Sequence, residues 1–194
     1  LNTNLLSGMI LVDDELVKET EEKGVWQDCV FDAICDEKVQ IVQQCSKPII
    51  LYDWQPSRRA DHPREFLKAF SGIAITDGYQ VYHKLSKERP DLLIGGCWIH
   101  ARRPFADFIK SIKGSADGTI AHKAYSLITE MLHIDNGFDD LPSDDRLKQR
   151  QLILTEKVDA YFEWVKLKYN QVTHNSTIGK ALAYSIHQEP YLRT

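Results

Sequence analysis

No apolar run in this chain approaches the roughly 20 residues needed to cross a bilayer. The N-terminal stretch also lacks the basic segment, apolar segment and small-residue cleavage site of a secretory leader. Both absences point to a soluble protein of the cytoplasm with no membrane partner. Cysteine is scarce, and Cys29, Cys35, Cys45 and Cys97 show no paired short spacing. That excludes a zinc ribbon or a small disulfide scaffold and makes reduced thiols the default. Missing too are a Gly-rich phosphate loop, a Gly-x-Ser-x-Gly elbow and a His-Glu-x-x-His helix, so three common catalytic frameworks have no support. There is no internal repeat. With 10 Gly, 7 Pro, 43% hydrophobic and 27% charged residues in a chain of 194, collagen-like and wholly disordered readings fall away.

What is present is an uneven distribution of charge. The net charge is -4, yet residues 1–53 carry -7, residues 54–113 carry +5 and residues 114–194 carry -2. In the basic middle, Arg58, Arg59, Arg64, Arg102, Arg103, Lys110 and Lys113 are interleaved with Trp54, Phe66, Tyr79, Tyr82, Trp98 and Phe105. Such a mixture suits a phosphate backbone with stacked bases. It equally describes a solvated charged face over an aromatic core.

Short β-branched runs alternate with short amphipathic ones in the first half, each bounded by Gly, Pro or Asp, which is the punctuation of an α/β fold. Met9–Val12, Val25–Ile34, and Val39–Val42 or Pro48–Tyr52 read as strands with little helical sequence between them, so a hairpin or meander is expected first. Asp61-His62-Pro63 opens a helix whose apolar side is Phe66, Leu67 and Phe70, stopped by Ser71-Gly72. Ile73–Thr76 and Leu92–Ile94 read as strands, with a helix from Tyr79 to Glu88 between them and another through Phe105, Phe108, Ile109 and Ile112 as far as Gly114. Beyond residue 119 only helices are expected: Thr119–His133, a long one over Ser143–Tyr169, and Ser176–Glu189. Leu147, Leu154, Val158, Tyr161 and Val165 form one stripe of the long helix, Ser143, Asp144 and Asp145 cap it, and Gly137–Pro142 is an exposed connection.

Four groups of residues suggest chemistry. Asp77, before Gly78, stands where a strand gives out into a turn, the place where open α/β sheets present their sites. Asp13-Asp14-Glu15 follows the first apolar strand in the same way. Carboxylates on neighbouring strand ends make a hard oxygen site for Mg²⁺ or Mn²⁺, as in two-metal phosphoryl transfer. Asp53 ends another strand and is a third position of this kind. Cys97-x-x-His100 lacks a second ligand pair for zinc, which leaves packing, hydrogen bonding or, with Arg102 and Arg103 just after it, phosphate binding.

Three stretches resemble transposases of the insertion-sequence-66 type. They are Ile50-Leu51-Tyr52-Asp53-Trp54-Gln55-Pro56-Ser57-Arg58 with His62-Pro63-Arg64-Glu65-Phe66-Leu67, Thr76-Asp77-Gly78-Tyr79-Gln80-Val81-Tyr82, and Gly96-Cys97-Trp98-Ile99-His100-Ala101-Arg102-Arg103-Pro104-Phe105. Arg146–Gln151 and Ser176–Ser185 resemble the helical stretch that the family places before its final acid. The resemblance implies an α/β fold with an RNase H-like mixed sheet and flanking helices over residues 1–113, followed by an all-helical region over 114–194. It also implies a DDE-type site for Mg²⁺ or Mn²⁺ acting on DNA in a homo-oligomeric assembly on the bacterial nucleoid. Asp77 matches the second catalytic Asp, and Cys97 with His100 matches the family's Cys-x-x-His signature. Asp53 matches a non-catalytic position. Asp14 fits the first catalytic Asp by distance, with Leu16 where the family has Thr and Asp13 as the alternative. Arg58, Arg102 and Arg103 are the expected DNA-backbone contacts. The family's Glu would follow Arg193-Thr194, so a piece of the catalytic domain ending before that acid is expected. The rival readings are a non-catalytic fragment that binds DNA or a partner subunit, and a nuclease drawing its third acid from Glu156 or Glu163.

Overall fold

The computed structural model describes residues 57–194 together with the two-residue strand Phe31–Asp32. The expected strand pairings among residues 9–30 and 39–52 lie outside the described residues. From residue 57 onward the chain forms two compact units that divide between Cys97 and Trp98.

The first unit contains a three-stranded, all-parallel sheet in the order β1 (Phe31–Asp32), β2 (Gly72–Thr76), β3 (Leu92–Gly96). Phe31 pairs with Ala74 on one side of β2, and the register from Gly72–Leu92 to Thr76–Gly96 runs along the other. The β-branched run Ile73–Thr76 favours the extended chain and alternates in burial, with Ala74 and Thr76 facing inward. Parallel neighbours need a crossover, here α2 (Gln80–Glu88), which buries Tyr82 and Leu85. The preceding helix, α1 (Asp61–Phe66), is shorter than its apolar pattern suggests. Leu67 and Phe70 are buried just beyond it, while Phe66 is exposed. Arg89 holds this turn in place: its guanidinium donates to the Leu67 and Phe70 carbonyls and pairs with the Asp91 carboxylate. Gly95 is buried in β3, where any side chain would run into Ile75 Cδ1.

The second unit is helical throughout: α3 (Trp98–Ser111), α4 (Ile120–Asn136), α5 (Ser143–Gln149), α6 (Thr155–Tyr169) and α7 (Thr177–Leu192). Thr119 and Ser176 cap α4 and α7, accepting from His122 N at 3.1 Å and Gly179 N at 3.0 Å. Helix α3 packs on α4 and α7, and α6 packs on both α4 and α7. The interior pairs small residues, Ala101, Ala121, Ala124 and Ala181, with Phe105, Ile128, Tyr161, Phe162, Val165 and Leu182. Trp98 meets Tyr161 edge-on at 5.4 Å and donates from Nε1 to Leu192 O at 3.0 Å. Tyr161 exchanges a 3.0 Å hydrogen bond with Ser185, and burial pushes its phenol well above the ordinary range. No helix among the described residues is long and apolar enough to cross a membrane.

The expected long helix is continuous from Ser143 to Tyr169, but Arg150–Leu154 is wound as a π-helix. Tyr161 and Val165 are buried and Leu154 and Val158 pack against the core, whereas Leu147 is 55% exposed. The wider π turn takes Leu147 off the stripe that a uniform 3.6-residue period assigns to it. Asp144 and Asp145 lie in the first turn of α5, where they complement the helix dipole, and the N-cap position falls on Pro142, which makes no side-chain cap, rather than on Ser143. Arg150 closes on Asp135 through two bonds of 2.6 and 2.8 Å, and Lys157 meets Glu130 at 2.6 Å, fastening this helix to α4.

Gly179 marks the tightest approach in this unit. A Cβ there would collide with Thr173 O and stand 2.6 Å from His174 O, both backbone atoms that cannot swing aside. Gly179→Ala is expected to cost about 1–3 kcal/mol through overpacking, despite the better helix propensity of Ala. Urea denaturation of the two proteins checks this, and an equal or higher midpoint for the variant would refute the tight approach.

Candidate active site

Strand β2 ends at Thr76 and α2 begins at Gln80, so the chain must reverse within three residues. Gly78 makes this possible, with φ at +83°, a conformation that side-chain-bearing residues adopt only under strain. Half-buried Asp77 stands at the C-terminal end of the central strand, and its Oδ1 accepts from Tyr79 N at 3.0 Å. The turn thereby fixes the direction of the carboxylate.

Neighbouring groups build on this turn. The Tyr79 hydroxyl donates to Arg58 O at 2.6 Å, and the Arg58 guanidinium lies over the Tyr79 ring, 4.5 Å from its centroid. Tyr82 meets Tyr79 edge-on at 6.3 Å. Burial, together with the Asp77 charge, pushes the Tyr82 phenol up to about 12, with Arg58 pulling the other way. His62 Nε2 and Ser57 Oγ share a 2.9 Å hydrogen bond. Buried Cys97 follows β3, and its amide donates to Thr76 O at 3.0 Å. The turn of Asp77 and the Cys of Cys97-x-x-His100 thus lie at the same end of two adjacent parallel strands.

The remaining expected residues belong to the helical unit or lie outside the description. His100 is in the first turn of α3, its ring 6.3 Å from that of Tyr184. Arg102 lies over Tyr125 at 5.3 Å and donates to Thr129 Oγ1 at 3.3 Å, while Arg103 is half-buried on the same helix. Asp13, Asp14 and Asp53 fall outside the described residues. Among the described residues, no three His, Cys, Asp or Glu side chains converge to hold a metal. Asp77 is the right kind of donor for Mg²⁺ or Mn²⁺, but it is one carboxylate of a set that those residues do not complete.

The basic side chains separate into two kinds. Arg59 pairs with Asp61, and Arg64 is held by Asp61 at 3.0 Å and Glu88 at 2.9 Å, so carboxylates cancel their charge. Arg58 and Arg102 rest on tyrosine rings, with no carboxylate partner among the described residues. Of the aromatics expected to interleave with them, Phe105 is fully buried, Tyr82 is buried and Trp98 packs against the core. The glutamates of the helical unit divide likewise. Glu130 is taken by Lys157, and Glu189 by Lys166 at 2.7 Å and Arg193 at 3.0 Å. Burial pushes the Glu189 carboxyl upward, but its two cationic partners outweigh this and hold it below the usual range. Glu156 and Glu163 are exposed on α6.

Sequence reasoning overlooked His83. The signal was its place on α2, four residues after Tyr79 and one after Tyr82, on a helix that starts directly beyond Asp77.

The fold and this strand end define a mixed α/β unit joined to a helical one. By comparison of sequences, the chain belongs to the transposase IS66 family, whose profile matches residues 2–194. Two uncharacterized proteins of Sinorhizobium fredii (strain NBRC 101917 / NGR234) are similar to it. One, y4qI, is 28% identical over 148 residues, covering 73% of this chain and 26% of its own length. The other, y4jD, is 27% identical over 144 residues, covering 72% and 27%. The chain therefore spans about a quarter of the length of these curated relatives. No solved structure gives a significant match.

Burial pulls the His83 imidazole below its ordinary value and Lys87 adds to this, with the Asp77 charge opposing. The folded state thus favours neutral His83, and the unfolded chain takes up a proton more readily. The corresponding stability is complete above the unfolded value near 6.5 and is lost as pH falls through the lower folded value. His83→Gln is expected to flatten that acid-side loss, read as the change in urea midpoint between about pH 7.5 and about pH 5.5. An equal change in both proteins would assign it to another group.

Proposed function

We propose that this chain is part of the catalytic domain of a DNA transposase and that its sheet belongs to an RNase H-like core. Asp77 is then one carboxylate of a DDE-type site. The observation that supports this best is the half-buried Asp77 at the end of the central parallel strand, its carboxylate directed by the Tyr79 amide, in a chain of this family. Asp14, or Asp13 beside it, is the partner acid in this reading, and Mg²⁺ or Mn²⁺ the cofactor. When bound, a pair of such ions supplies an activated water and charge stabilisation at the leaving oxygen.

The chain's own residues bind and orient. Arg58, Arg102 and Arg103 hold backbone phosphates, and Asp77 keeps a fixed negative charge at the strand end. In the cleavage step a water oxygen bonds to phosphorus as the bond to the 3′-oxygen breaks. The water proton passes to solvent, and the departing 3′-oxygen takes up a proton from solvent to become a hydroxyl. In strand transfer that hydroxyl attacks a phosphodiester of the target and displaces its 3′-oxygen in turn. Two element ends call for at least two subunits, so the active assembly is a homo-oligomer acting where the chromosome is.

A Mn²⁺ titration followed by calorimetry or paramagnetic NMR broadening tests this on the chain and on Asp77→Ala, Asp77→Asn and Asp53→Ala. Binding is expected in the parent chain and in Asp53→Ala, and is expected to be lost in both Asp77 variants. Binding of equal strength in all four would remove Asp77 from the site and shift the function to DNA or subunit binding without catalysis.

A further inference from the structure

Tyr79 makes more contacts with its surroundings than a helix-capping residue needs. Its amide donates to Asp77 Oδ1 at 3.0 Å, its hydroxyl donates to Arg58 O at 2.6 Å, and its ring carries the Arg58 guanidinium at 4.5 Å. Arg58 is thus held at both ends, main chain and side chain, by the residue that also directs the candidate catalytic carboxylate.

The choice of a ring as the support has a physical consequence. A free arginine side chain is mobile and loses that freedom when it binds a phosphate, so holding it in advance strengthens binding. A carboxylate would hold it as well but would cancel its charge, as Asp61 and Glu88 do for Arg64 only six positions along. A tyrosine face attracts the guanidinium and leaves the full positive charge and the in-plane N–H donors facing outward. Arg58 is exposed and has no carboxylate partner among the described residues.

We propose that Tyr79 is a positioning residue that presents Arg58, charge intact, to a backbone phosphate of the DNA strand at the Asp77 strand end. This rests on the reading of Asp77 given above.

The test is DNA binding by the 194-residue chain to a fluorescein-labelled duplex of arbitrary sequence, in EDTA, over a series of salt concentrations. The slope of log K against log salt counts phosphate contacts. Arg58→Ala is expected to reduce that slope by about 0.9, and Tyr79→Leu to reduce it by a similar amount. The double variant should lose no more than either alone. Tyr79→Phe keeps the ring and removes only the hydroxyl. It is expected to preserve the slope, to weaken binding roughly twofold to tenfold, and to have no effect when Arg58 is already Ala.

A purely structural role would lower the melting temperature, leave the slope unchanged and give effects that add in the double variants. Either an unchanged slope in Tyr79→Leu or additivity between Tyr79→Phe and Arg58→Ala would overturn the proposal, and the phenylalanine variant decides it if the leucine variant fails to fold. A parent chain with no salt-dependent DNA binding would overturn the DNA contacts of the proposed function as well. An intact parent slope with unaffected variants would overturn this inference alone.

Discussion

Everything at the end of the sheet depends on how little chain separates β2 from α2. Three residues must end a strand, reverse direction and start a helix. Only a left-handed glycine does this without strain, and Gly78 is that residue. Once the turn is fixed, the placement of its neighbours follows. Asp77 is caught by the amide two residues on, Tyr79 is set at the entrance of α2, and Tyr82 falls one helical turn further along and is buried. The local geometry is thus set by backbone constraints, and the Tyr79 amide gives the carboxylate its direction.

The helical unit solves a different problem by different means. Its helices approach through alanines, and the gaps between them are filled by a few large rings, so that the Trp98, Tyr161 and Phe162 cluster occupies the space that small neighbours leave. Of the polar groups that fall inside, Tyr161 and Ser185 are matched with each other. On the surface, long-range ion pairs such as Arg193 with Asp159 at 2.6 Å join helices distant in sequence. Two of the four glutamates of this unit are spent on such fastenings.

Much of this was legible in the amino acids because the signals are local. The Thr76-Asp77-Gly78 turn, the helix α2 and the helix starts at Thr119 and Ser176 are each decided within a few neighbouring positions. What escaped was non-local. Arg58 and Arg64 look alike in the sequence, yet one rests on a tyrosine 21 positions away and the other on a glutamate 24 positions away, and only the folded chain distinguishes a charge laid on a ring from one cancelled by a carboxylate. The same applies to Tyr82 and Phe105, whose aromatic rings suggested stacking on bases and are instead enclosed. The stripe through Leu147 failed for a third reason: periodicity assumes a constant helical pitch, and Arg150–Leu154 departs from it.

That departure bears on how such a chain changes over generations. A π turn is the form a helix takes when it carries one residue more than its ends require, the surplus being absorbed in a local widening while the flanking turns keep their alignment. In the hairpin of α4 with α5 and α6, the anchoring pairs Arg150–Asp135 and Lys157–Glu130 lie at the edge of that widening and beyond it. The stretch is therefore where a change of one residue in the length of this helix would be taken up by the winding of the turn rather than by the register of α6 on α7.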